Sequence, residues 1–210
     1  MRRSLLVLTL ASAAYGFSIG ACHSWLYATR NLLKFPLLLL TTATICAIAY
    51  FVLARFLGTA LSFLRVQRLV LEIFRDVAML LASLSPATLF LALSMRKPTA
   101  EDLGEYPLFQ GLSVACIAMC GCLAVRRQAA ALLADHQLDR VRTSTLLAGW
   151  MALSLFAGGQ CAWFMRPFFG IANRSAAAPA FFAGTEPDFR GARSFYEAVY
   201  NLIDPPAAVR

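Results

Sequence analysis

Charge is what this chain has least of. Of its 210 residues only 14% are Asp, Glu, Lys or Arg, against about 25% in an ordinary soluble domain. With 60% hydrophobic residues and a mean hydropathy of +0.65, it has too few polar side chains to cover a water-facing surface of its size. That excludes a soluble enzyme and a disordered tail. Histidine is scarcer still: His23 and His136 are the only two, which leaves little for general-base or metal chemistry. A phosphate-cradling glycine loop, a dinucleotide fingerprint and an H-E-x-x-H pair are all missing.

What the chain has instead is long apolar stretches. Reading between charges gives uncharged windows at 4–29, 35–54, 77–95, 106–125 and 143–165. Each is about long enough to cross a hydrocarbon core of about 30 Å. Their spread along the chain excludes a single-span receptor. The expectation is an all-α, polytopic integral membrane protein of about five transmembrane helices, with short interfacial amphipathic helices. The spans fall near 5–27, 35–54, 77–95, 107–125 and 145–165 within a membrane domain of 1–165, and an extracytoplasmic tail follows at 166–210. Pro36 marks the start of the second span, where a missing N–H costs a helix little. Pro86 lies inside the third, where a kink is expected. Trp25, Tyr27, Tyr50, Tyr106, Trp150 and Trp163 fall mostly near window edges, where amphipathic rings prefer to sit.

The few charges orient the bundle. One side receives Arg2, Arg3, Arg55, Arg65, Arg68, Arg75, Arg126, Arg127, Arg140 and Arg142. The other receives Arg30 and Lys34 in one loop, and Arg96 and Lys97 offset by Glu101, Asp102 and Glu105 in another. The bias places the N-terminus in the cytoplasm and the C-terminus outside, although the tail's five arginines run against it. The net charge of +8 is dealt out at membrane borders, so it anchors helices against anionic headgroups and gives no nucleic-acid face.

Residues 64–76 carry Arg65, Arg68, Glu72, Arg75 and Asp76 at three- and four-residue spacing, opposite an apolar stripe. This reads as an amphipathic helix lying in the interface and running into the third span, with Arg65, Arg68 and Glu72 offering a face to a partner. Residues 127–142 have a similar character. In the tail, Ser194 and Glu197 form a capping box that opens a short helix near 194–203, stopped by Asp204-Pro205-Pro206. A helix this short is marginal alone, so it should rest on the membrane, on its own bundle or on a partner.

Chemical motifs are sparse. Gly16-Phe17-Ser18-Ile19-Gly20 matches G-x-S-x-G, which exposes a nucleophile only on a strand-to-helix elbow. Here it falls in an apolar helix, and neither histidine is placed to act as base. The same stretch presents Ser12, Gly16 and Gly20 at four-residue spacing, a small-residue face that lets another helix approach closely. Ile19-Gly20-Ala21-Cys22 also resembles a bacterial lipoprotein processing site, which would make Cys22 the lipidated terminus. The six cysteines read as small reduced thiols packed in helices, with no metal and no cofactor implied. No window carries a charge near its centre, which disfavours a proton- or ion-coupled carrier.

Four runs carry a resemblance when taken together: residues 14–20, 33–40, 82–90 and 163–170, the last reading Trp-Phe-Met-Arg-Pro-Phe-Phe-Gly. As a set they resemble bacterial polytopic membrane proteins similar to the five-span Yip-type family. That likeness implies a five-helix bundle with a cytoplasmic N-terminus, and brings no reaction or catalytic residues with it. Eukaryotic Yip-type proteins usually have a longer soluble N-terminal region. The expectation is therefore a non-enzymatic scaffold or accessory subunit of a bacterial inner-membrane assembly. It would contact lipid and other membrane proteins or itself, through Ser12, Gly16 and Gly20, the Arg65/Arg68/Glu72 stripe, and the Trp163, Arg166, Pro167, Phe168 corner. An oligomeric pore or small-molecule conduit is the alternative, and an intramembrane hydrolase using Ser18 the third.

Overall fold

The computed structural model describes residues 2–96, 105–134, 140–169, 181, 182, 184 and 191–203. Six helices account for nearly all of them: α1 (Arg2–Gly20), α2 (Trp25–Phe56), α3 (Phe63–Ser94), α4 (Tyr106–Ala134), α5 (Arg140–Met165) and α6 (Phe195–Ile203). The first five are long and apolar enough to cross a membrane.

Local chemistry fixes the turns. The Ser24 side chain accepts from the Tyr27 backbone N–H and opens α2, and Ser62 does the same for α3 through Arg65. Between them Gly58 takes a φ of +72°, the left-handed conformation that ends a helix at little steric cost. Thr59 then donates through both its N–H and its hydroxyl to the Ala54 carbonyl.

The first hairpin departs from the hydropathy reading, which ran the first span to residue 27 and put Arg30 and Lys34 in a loop. The turn is confined to residues 21–24, and both cations lie on α2. Pro36 accordingly sits well inside α2. The N-cap serine, which hydropathy ignores, sets this boundary.

The long helices close into a ring in the order α1, α2, α5, α4, α3, each touching the next, and α2 and α3 also meet near their shared turn, where Phe51 packs edge-on to Phe63. α3 is a single helix of 32 residues, about 48 Å long. Its charged half is the first part of a spanning element rather than a separate interfacial helix, and the chain stays helical through Pro86. Val66, Val70, Ile73 and Phe74 point into the core, while Arg68 is exposed and Arg65 and Glu72 are half-buried. Arg75 forms a 2.8 Å ion pair with the buried Asp76 carboxylate.

Between α2 and α5, Tyr50 and Trp150 stack with centroids 4.7 Å apart, both wholly buried. The Tyr50 hydroxyl donates to the Trp150 carbonyl at 2.8 Å and the Trp150 indole N–H donates to the Tyr50 carbonyl at 3.3 Å. Ser154 completes the group through a hydrogen bond to the Tyr50 hydroxyl. Of the six aromatic residues expected at the interface, Trp25 is exposed and the other five are buried. A ring with a polar tip can also clasp two helices, and window-edge position does not distinguish the two uses.

Candidate functional site

The densest polar chemistry gathers at the end of the bundle opposite Arg2, where the chain leaving α5 turns back over the α1–α2 hairpin. Asn31 and Lys34 lie one turn apart on α2 and so share a face. The Asn31 Nδ2 donates to the Phe168 carbonyl at 2.6 Å, Lys34 Nζ to the Pro167 carbonyl at 3.1 Å, and the Cys22 thiol to the Phe169 carbonyl at 3.5 Å. Three consecutive carbonyls beyond α5 are thus held by three side chains of the first hairpin. In an apolar setting each would otherwise be an unpaired acceptor, at a cost of about 1–3 kcal/mol.

Lys34 is only 1% exposed. Besides its carbonyl, its ammonium lies 4.8 Å from the Phe181 ring centroid, 5.5 Å from Phe182 and 5.8 Å from Phe168. Ring faces attract a cation most strongly where water is excluded. Phe168 meets Phe35 edge-on and Phe169 meets Phe109 of α4 in the same way, so the returning chain ties α2 and α4 together. Arg166 stacks on Trp163 at 3.5 Å and donates to the Trp163 carbonyl.

Further along, α6 lies against α5. Ser194 caps it through the Glu197 N–H, and the Glu197 carboxylate accepts from the Arg193 N–H, one residue earlier than the usual capping box. Tyr196 donates to the Leu155 carbonyl at 3.1 Å and stacks on Phe156, while Phe195 covers Gly159 so closely that a Cβ there would sit 2.8 Å from its ring. Of the three supports open to so short a helix, its own bundle is one it uses.

The sequence-predicted positions fare differently. Ser12, Gly16 and Gly20 are all buried on α1, and the close approach they permit is to α2: Gly16 faces the Asn31 carbonyl and Phe35, and Gly20 faces Tyr27 and Ala28. This small-residue face is filled within the chain. Ser12 donates to the Leu8 carbonyl, and Ser18 to the Ala14 carbonyl at 3.0 Å. Trp163, Pro167 and Phe168 are buried and Arg166 is half-buried, so much of this corner packs against its own chain. Arg65, Arg68 and Glu72 lie on α3, Arg68 exposed and the other two half-buried, far along the chain from the tail contacts. Residues 135–139 and 204–210, with His136 and the proline stop, lie outside the described residues.

All six cysteines are free thiols, and no group of metal-ligating side chains converges among the described residues. Burial pushes the Cys22 thiol up to about 12. α1, which lipoprotein processing would remove, supplies Leu8, Tyr15 and Ile19 to the core, each no more than 1% exposed.

Asn31 and Lys34 were missed as site residues because they read as loop polars in a hydropathy scan. Their three-residue spacing on a helix was the available signal. Compared with family models, with curated proteins and with solved structures, the chain matches none.

Proposed function

We propose that this chain acts by association rather than by catalysis, as a scaffold or accessory subunit of a protein assembly in the bacterial inner membrane, with the N-terminus cytoplasmic. The observation that carries the reading is the fastening of the tail: Cys22, Asn31 and Lys34 hold the chain beyond α5, and α6 is laid along α5 with Tyr196 and Tyr200 exposed. Ordering a nine-residue helix in this way gives the bundle a fixed aromatic surface beside its last span. Further support comes from Ser18, whose hydroxyl is bonded to its own helix. The orientation rests on Arg2, Arg55, Arg65, Arg68, Arg126 and Arg142, which gather toward one end of the helices. The resemblance to Yip-type proteins points the same way.

The test places a photo-cross-linking amino acid at Tyr200 and, separately, at Leu108 on α4, which is also exposed. Cells are irradiated before extraction in mild detergent. A discrete protein adduct at position 200 and none at 108 is the expected outcome. Equal or absent adducts at both positions, together with ion or solute flux through the reconstituted protein, would replace the scaffold with a conduit.

A further inference from the structure

Tyr15 on α1 has no exposed surface, and its hydroxyl has no hydrogen-bond partner. Two other buried hydroxyl residues, Thr88 of α3 and Ser113 of α4, lie beside it, neither at full hydrogen-bond geometry. These three line a cavity of about 80 Å³ between α1, α3 and α4. Phe109 and Cys116 form further wall, and Leu91 and Leu112, respectively 40% and 46% exposed, stand at its outer edge. The cavity therefore opens sideways between α3 and α4, toward the surface that faces lipid.

Buried hydroxyls in native proteins are nearly always satisfied, and an orphan one calls for a partner. Within a bilayer, bulk water is not there to provide it. The shape and chemistry of the cavity narrow the choice. No charged side chain lines it, so an ionic headgroup has no counter-charge. At about 80 Å³ it is far below the roughly 300 Å³ that encloses a small molecule, yet it has room for several atoms of water size. The mouth is apolar on both sides.

We propose that this cavity is a binding site for a neutral, lipid-soluble molecule carrying one hydroxyl or carbonyl oxygen on an apolar chain. The oxygen accepts from the Tyr15 hydroxyl and bonds to Thr88 or Ser113, while the chain leaves between Leu91 and Leu112 into the bilayer. The three hydroxyls come from three helices, so only the assembled bundle forms the site. This activity stands apart from the scaffold reading, which concerns α5, α6 and the tail.

The full chain, reconstituted in phosphatidylcholine nanodiscs, would be irradiated with hexadecanol bearing a diazirine near its hydroxyl, with a matching 2-ketone probe, and with a hexadecane probe lacking oxygen. Labelled peptides are then mapped by mass spectrometry. The expected result is saturable labelling of the Leu91 and Leu112 peptides by the alcohol or the ketone, about five-fold or more above the alkane. Tyr15→Phe, which removes the hydroxyl and keeps the ring, should lower it about five-fold, the scale of one hydrogen bond. Should Tyr15→Phe fail to fold, the double variant Thr88→Val with Ser113→Ala, which removes both of the other hydroxyls, serves in its place. Equal labelling by the alkane, or undiminished labelling in a folded variant, overturns the proposal and leaves the cavity to water or lipid tails.

Discussion

Replacing Gly16 or Gly20 by alanine should loosen the α1–α2 hairpin, and the size of the effect follows from two short distances. A Cβ at Gly16 would lie 2.5 Å from the Asn31 carbonyl oxygen and 2.6 Å from the Phe35 Cβ. One at Gly20 would lie 2.5 Å from the Tyr27 carbonyl oxygen and 2.6 Å from the Ala28 nitrogen. Ordinary contact between carbon atoms begins near 3.5 Å, so the helices would have to part by up to about 1 Å. The obstacle is largely backbone, which cannot rotate away. Overpacking of this kind costs about 1–3 kcal/mol, while exchanging a helical glycine for alanine returns about 1 kcal/mol. Gly111 and Gly121 on α4 provide the control, because a Cβ at either meets nothing within 4 Å. The difference between Gly16→Ala and Gly121→Ala cancels the propensity gain and isolates the steric cost, about 1–3 kcal/mol. Unfolding by SDS titration in mild detergent, followed by tryptophan fluorescence, measures it. The two α1 sites touch the same helix, so their double variant need not be additive. Gly16→Ala and Gly20→Ala variants as stable as Gly121→Ala would refute the packing, and loss of a partner at unchanged stability would return this face to intermolecular use.

Three further outcomes are expected. Asn31→Leu leaves the Phe168 carbonyl without its donor, and Lys34→Met removes the cation from its aromatic surroundings; each should speed protease release of the segment bearing α6, while cleavage elsewhere stays unchanged. Trp150→Ala removes a wholly buried ring and the indole N–H bond to the Tyr50 carbonyl, lowering stability by about 3–5 kcal/mol in the same SDS titration, whereas Tyr50→Phe, which keeps the stack, should cost about 1–3 kcal/mol. In the folded protein Cys22 should resist maleimide at pH 8, where a thiol pushed up to about 12 is ionised in roughly one molecule in ten thousand, and its rate should keep climbing with pH toward 12.

Much of the architecture was legible in the chain because a bilayer punishes charge so heavily that the few charged residues outline the spans. Five helices, their approximate centres and the Ser194/Glu197 cap all follow from that and from local capping chemistry. Arg30 and Lys34 were read as loop residues because a window scan treats polarity as a boundary, yet Lys34 is buried beneath Phe168, Phe181 and Phe182, which come from more than 130 positions away. Tyr50 and Trp150 were read as interfacial because ring chemistry is the same at a headgroup and in a clasp. The candidate ligand cavity had no sequence signature at all: Tyr15, Thr88 and Ser113 are three ordinary residues on three helices.

By itself, then, the sequence determined the solvent and the secondary structure. Scarce charge and long apolar windows demand a bilayer, and a bilayer demands helices that satisfy their own backbone. Tertiary structure decided which helix fills the Gly16/Gly20 face, where the tail comes to rest and which hydroxyls converge. Those depend on distances between residues remote in the chain, set by side-chain shape, and composition and periodicity carry no record of them.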